Sequence, residues 1–217
     1  MCSSRDTGVT GPRINPRNTL ETMKIFAASL VLAFTGMIMA ATPPEQASAP
    51  RKSPEFVFNM QDGRQLLLSS LRGKAVAIAF MFTTCPHCQA TCPLLAGIQK
   101  EYAAKGVQFV ACVIDEGAKD GLANFNKNYV RGAFPVGWST TDSAKEYMRI
   151  PAGKNFYVPM MSFVDRKGNI VAQYDGNTDF MEGDKEKNIR AELDKILGVP
   201  AASAAKSAAR TAMTKKP

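Results

Sequence analysis

The stretch AVAIAFMFTTCPHCQATCP, residues 75 to 93, decides how the rest of the chain is read. Its first eight residues, Ala75–Phe82, are apolar without a break, the pattern of a strand buried on both faces. Three cysteines and the chain's single histidine follow within eight positions. Pro86 suits the first position of a helix, where its missing N–H costs little, and the helix expected over Pro86–Lys105 stops at Gly106. Cys85-Pro86-His87-Cys88 therefore sits where a buried strand gives way to a helix. The unpaired N–H groups and positive dipole end of a helix stabilise a thiolate there, and His87 adds a positive charge or a donor beside it. On this reading Cys85 ionises more readily than a free thiol and attacks, while Cys88, one turn in, resolves the mixed disulfide.

Outward from this centre, strands and helices alternate. Residues 56–74 read as a hairpin turning at Asp62-Gly63, followed by a turn at Arg72-Gly73-Lys74. Val107–Ile114 is a second buried strand, Leu122–Val130 a helix, Phe134–Trp138 a short strand and Asp142–Met148 a short helix. Met160–Val164 and Ile170–Tyr174 form a hairpin through Asp165-Arg166-Lys167-Gly168. Glu182–Leu197 is amphipathic, with Ile189, Leu193, Ile196 and Leu197 on one face. The pattern predicts one α/β domain over residues 55–198: a central mixed β-sheet flanked by helices, with an N-terminal hairpin extension.

The flanks have a different composition. Met23-Lys24, the apolar run Ile25–Phe34 and the small residues Ala40-Ala41 follow the order of a secretory signal. The apolar stretch is also near the short limit of a membrane anchor. Residues 1–22, with Asp6 and Glu21, make a poor signal start and read as a non-structural extension ahead of Met23. Residues 42–54 read as a Pro/Ala/Ser-rich linker, and residues 199–217 as an Ala/Lys-rich tail with no core-forming pattern. The expected location is periplasmic or otherwise extracytoplasmic, secreted or anchored by residues 23–41, where a close cysteine pair is redox-active or bridged. The net charge is +8, but no basic run exceeds two residues and aromatics do not interleave with them, which argues against a nucleic-acid partner.

Strand–CxxC–helix, Pro93 five residues after Cys88, and Val158-Pro159 ahead of an apolar hairpin together resemble the thioredoxin superfamily. DGRQLLLSSLRGKAVAIAFMFTTCPHC is similar to its exported redoxin/TlpA-like branch, related to the alkyl hydroperoxide reductase/thiol-specific antioxidant group. The resemblance implies a thioredoxin-like fold and a redox-active Cys85–Cys88 disulfide, with no other cofactor. It also implies a cis Val158–Pro159 bond facing that disulfide, where Val158 offers backbone to the substrate chain. The implied partners are proteins with thiols or disulfides and a membrane or periplasmic redox partner. Three positions depart from the family. Ala79 stands where thioredoxins carry a buried acid, Thr91 where TlpA-like proteins often have Glu, and Thr83-Thr84 where an aromatic usually precedes the motif. That leaves Asp115 or Glu116 as candidate proton acceptors for Cys88.

Other chemistries remain open at this point. Cys88-x3-Cys92-Pro93 has the spacing of Sco-like copper proteins, with Cys88 and Cys92 as ligands, but the distant histidine of that family is missing. A zinc site would crowd Cys85, His87, Cys88 and Cys92 onto one helix start. A peroxiredoxin-like antioxidant would need Pro and Thr where Ile78 and Phe82 stand. Cys92 reads as a small buried thiol or a third redox thiol, and Cys112 as core packing.

Overall fold

The computed structural model describes residues 50–199, so the expectations for residues 1–22 and 23–41, most of the linker and nearly all of the tail lie outside the described residues. Within them the chain runs β1 (Arg51–Lys52), β2 (Val57–Met60), β3 (Gln65–Leu67), β4 (Ala75–Met81), α1 (Pro86–Tyr102), β5 (Val107–Val113), α2 (Ala118–Phe125), β6 (Val136–Trp138), α3 (Thr141–Met148), β7 (Met160–Val164), β8 (Asn169–Tyr174), α4 (Asp179–Glu182) and α5 (Lys185–Leu197). The strands form one sheet in the order β1-β8-β7-β4-β5-β6-β2-β3. β4 lies parallel to β5 and antiparallel to β7, so the sheet is mixed, as expected.

The unbroken apolar run has its explanation in β4, where all seven residues are buried. Ala75, Ala77, Ala79 and Met81 enter one core cluster with Cys88, Leu95 and Ile98 of α1 and Ile189 and Leu193 of α5. Val76, Ile78 and Phe80 enter a second cluster on the other face, with Phe56, Phe58 and Tyr147. Alternate residues of one strand thus feed two cores. Gln99 ties α1 to the sheet, donating to Val107 O at 3.2 Å and accepting from Phe109 N–H at 2.6 Å. At the far end of α1, the Tyr102 hydroxyl donates to the buried Asp194 of α5 at 2.9 Å. Gly106 takes φ 82 as the helix stop, a left-handed conformation that glycine adopts without steric cost.

Several boundaries differ from the expectation. The linker reading of residues 42–54 fails at its end, because Arg51 and Lys52 pair antiparallel with Ile170 and Asn169. A two-residue edge strand carries no alternating pattern, and this one is held by backbone pairing and by Arg51 donating to Tyr147 O and Gln173 Oε1. The helix expected at Leu122 begins at Ala118 and passes after Phe125 into a wider π-turn, Asn126–Val130. The helix expected from Glu182 starts at Lys185 instead: Glu182 ends the short α4, Gly183 interrupts, and Asp184 caps α5 by accepting from Lys187 N–H at 3.1 Å.

Candidate active site

The short link between β4 and α1 is pinned on both sides. Thr83 N–H donates to Asp115 Oδ1 at 2.9 Å, and its hydroxyl donates to Asp115 Oδ2. Gln89, in the first turns of α1, donates to Thr83 O at 2.8 Å. β5 runs parallel to β4, so its C-terminal end delivers Asp115 beside this link. Cys85 then stands as the N-cap of α1 with φ −79° and ψ 117°, and its sulfur accepts the N–H of Cys88 at 3.3 Å. That is the unpaired helix donor expected from the sequence, directed at the half-buried sulfur.

Cys88 lies behind it at 0 % exposure. Burial pushes its thiol well above the ordinary range, and its contact with Cys85 pushes in the same direction. The cysteines at 85, 88, 92 and 112 are all free thiols here. Cys92 is also fully buried, donating to Cys88 O at 3.3 Å with Met81 Sδ 3.7 Å away, and burial pushes its thiol up to about 12. Cys112 belongs to the second core cluster, on the other face of the sheet from the pair, as a packing residue. Among the described residues, no group of three or more His, Cys, Asp and Glu is arranged to hold a metal ion, so Cys88 and Cys92 have no third ligand of those types.

Far in sequence, the Val158–Pro159 bond is cis, as the resemblance implied. The Cys85 thiol lies 3.8 Å from Val158 O and points toward it. The loop is braced by the turn after β8: Gly176 N–H donates to Tyr157 O at 2.8 Å, and Asp175 Oδ1 accepts from Tyr157 N–H at 2.8 Å. Here the glycine is needed for space. A Cβ at Gly176 would lie 2.6 Å from Tyr157 O and 2.9 Å from the carbonyl carbon of Val158. A groove of about 360 Å³ opens beside the pair, lined by His87, Tyr157, Val158, Pro159, Met181 and Lys185 among others. His87 thus faces this groove, and no hydrogen bond joins its ring to either sulfur among the described residues. Pro86 is exposed, at the first position of α1.

Of the two candidate proton acceptors for Cys88, Asp115 and Glu116, neither hydrogen-bonds its sulfur among the described residues, and both oxygens of Asp115 are drawn into the clamp on Thr83. Ala79 is buried with no polar group to offer, and the Thr91 hydroxyl is spent on His87 O at 2.7 Å. Sequence reasoning missed the Thr83–Asp115 clamp and the Gly176 brace. The parallel pairing of the two apolar strands was the available signal for the first, since it brings both strand ends together.

A family model described as Redoxin matches residues 48–193. Over 136 residues the chain is 27% identical to the thiol-disulfide oxidoreductase ResA of Bacillus thuringiensis subsp. konkukian, covering 62% of this chain and 74% of that protein. It is 34% identical over 85 residues to ResA of Bacillus subtilis, 39% of this chain and 47% of that one, so this second match spans about half of the relative's length. Among solved structures, the exposed lipoprotein thioredoxin Etrx1 of Streptococcus pneumoniae aligns with a TM-score of 0.52 at 21% identity, over 65% of this chain and 99% of that one. The fold is therefore thioredoxin-like.

Proposed function

The chain belongs to the Redoxin family, and from that premise we propose that it is an extracytoplasmic thiol–disulfide oxidoreductase acting through Cys85 and Cys88. The observation that carries this reading is the placement of the Cys85 sulfur, between the Cys88 N–H and Val158 O with the second thiol buried behind it. In the reducing direction the Cys85 thiolate attacks one sulfur of a substrate disulfide. The substrate S–S bond breaks, its departing thiolate takes a proton, and a mixed disulfide forms at Cys85. Cys88 then loses its proton and attacks the Cys85 sulfur, forming Cys85–Cys88 and releasing the second substrate thiol. Two electrons have passed to the substrate, and a membrane or periplasmic dithiol partner restores the pair. Oxidation of substrate thiols runs the same steps backward.

The groove walled by Tyr157, Val158 and Pro159 suits an extended polypeptide carrying its cysteine to Cys85. The extracytoplasmic reading is supported by the apolar run of residues 25–41, which follows the order of a secretory signal or anchor. No helix among the described residues is long and apolar enough to cross a membrane. The test is reduction of insulin disulfides with dithiothreitol as electron source. Wild-type protein accelerates precipitation of the insulin B chain and Cys85→Ser does not; equal rates for the two would overturn the proposal.

A further inference from the structure

The end of the sheet opposite the cysteine pair is built from three interlocked turns. Gly73 N–H donates to Arg166 O at 3.0 Å, Ala75 N–H to Gly106 O at 3.0 Å, and Ser53 N–H to Gly168 O at 3.0 Å. The Arg166 side chain donates to Lys105 O at 2.9 Å, and the Arg72 guanidinium lies directly over Gly168. These contacts gather Lys52, Arg72, Lys74, Lys105, Arg166 and Lys167 onto one end of the domain, all six exposed.

None of the six enters a salt bridge among the described residues. The acids nearby are already occupied. Asp165 accepts from Lys167 N–H, Asn169 N–H and the Asn169 side chain, and Glu55 accepts from Phe56 N–H and Ser69 N–H while also facing Arg72. Glu101 is paired with Arg190. The opposite end, where β4, β5 and β8 finish, carries Asp115, Glu116, Asp120, Asp175, Asp179 and Glu182 against Lys119 and Lys185. The seven residues of β4 separate the two ends by roughly 23 Å. The domain is therefore electrically polar along its strands.

We propose that this basic end docks on an anionic lipid surface, holding the Cys85–Cys88 pair away from the bilayer. The inference rests on the extracytoplasmic reading above, in the form in which residues 23–41 stay on the chain as an anchor. Nine residues separate Ala41, at the end of the apolar run, from Arg51 of β1, a tether of at most roughly 36 Å. β1 is paired to β8 beside the Asp165–Gly168 turn, so the tether enters the domain near its basic end. Each basic residue close to an anionic leaflet contributes about five-fold in binding, and the acidic end is repelled by the same surface. Orientation follows from the two effects together.

The test uses the full chain in nanodiscs of phosphatidylcholine alone, or of phosphatidylcholine mixed with phosphatidylglycerol, read by amide hydrogen exchange. The segments around residues 72–74 and 165–168 exchange more slowly in the mixed discs, and the protection fades with added salt. Lys52→Glu/Lys74→Glu/Lys167→Glu reverses three charges whose side chains make no hydrogen bond or salt bridge among the described residues; it abolishes the protection while keeping wild-type insulin reduction in detergent. Equal exchange in the two disc types, protection that survives in the triple variant, or equal protection by a soluble RNA would overturn the proposal. Retention in the uncharged discs reports the anchor and insulin reduction reports the catalytic reading, so failure of either is distinct from failure of the surface. A chain that is not retained is read by co-sedimentation with phosphatidylglycerol vesicles, where the triple variant loses binding if the surface is correct and keeps it if not.

Discussion

Gly176→Ala puts the brace behind the Val158–Pro159 loop to a quantitative test. The added Cβ would sit 2.6 Å from Tyr157 O, 2.7 Å from Tyr157 C and 2.9 Å from Val158 C, all backbone atoms. Ordinary contact begins near 3.4 Å, so the loop or the turn must retreat by about 0.8 Å. Overpacking of this kind costs about 1–3 kcal/mol. The Gly176 N–H to Tyr157 O bond, 2.8 Å long, is disrupted by the same movement and adds about 1 kcal/mol. The expected loss is about 2–4 kcal/mol, or roughly 5–15 °C in Tm for a domain of this size. The same displacement moves Val158 O away from its position 3.8 Å from the Cys85 sulfur. Misplacement on that scale lowers kcat/KM for insulin reduction by about 10- to 100-fold. Gly97→Ala is the matched control, because its Cβ would meet nothing within 4 Å inside α1. It should stabilise the protein by up to about 1 kcal/mol and leave exchange unchanged. Urea unfolding and the insulin assay are run on both. A Gly176→Ala protein as stable and as active as wild type would refute the reasoning.

Two further expectations concern the core. Burial raises the thiols of Cys88, Cys92 and Cys112, so the unfolded chain releases these protons from about pH 8.5 while the folded chain keeps them. Stability of the reduced protein is therefore intact below that pH and falls as pH rises above it, by about 1.4 kcal/mol per pH unit for each thiol. Urea unfolding under reducing conditions at about pH 8 and about pH 10 should show Cys112→Ala losing less than wild type, and identical losses would count against this origin. Tyr102→Phe removes the hydroxyl that donates to the buried Asp194, and should cost about 1–3 kcal/mol. An unchanged urea midpoint would show that the carboxylate finds another donor.

What the sequence made legible follows from how local each feature is. The β4 strand, the helix beginning at Pro86 and ending at Gly106, and the 165–168 hairpin announce themselves within a few residues. Burial on both faces, proline and glycine at helix ends, and turn chemistry are local rules. The cis bond at Val158–Pro159 was legible only through the family resemblance, since no local rule singles it out. Features set by pairing between distant segments were not legible. β1 has two residues and no hydrophobic pattern, so it looked like linker until β8 supplied its partner. Asp115 looked like a free acid at a strand end; its two oxygens are used across 32 residues of sequence, on Thr83. Gly183 sits inside an otherwise helical pattern, and the break there became visible only through the Asp184 cap. His87 was placed beside the sulfur by sequence adjacency, but at the second position of a helix its ring turns out to the groove.

The central claim is a division of labour between two adjacent thiols, one half-buried and one fully buried. It is tested most directly by challenging Cys88→Ser and Cys85→Ser with a disulfide-containing peptide and measuring intact mass without reductant. Cys88→Ser should accumulate a one-to-one peptide adduct at Cys85 that dithiothreitol reverses, and Cys85→Ser should form none. An adduct on Cys85→Ser, or none on Cys88→Ser, would contradict the assignment of Cys85 as the attacking sulfur.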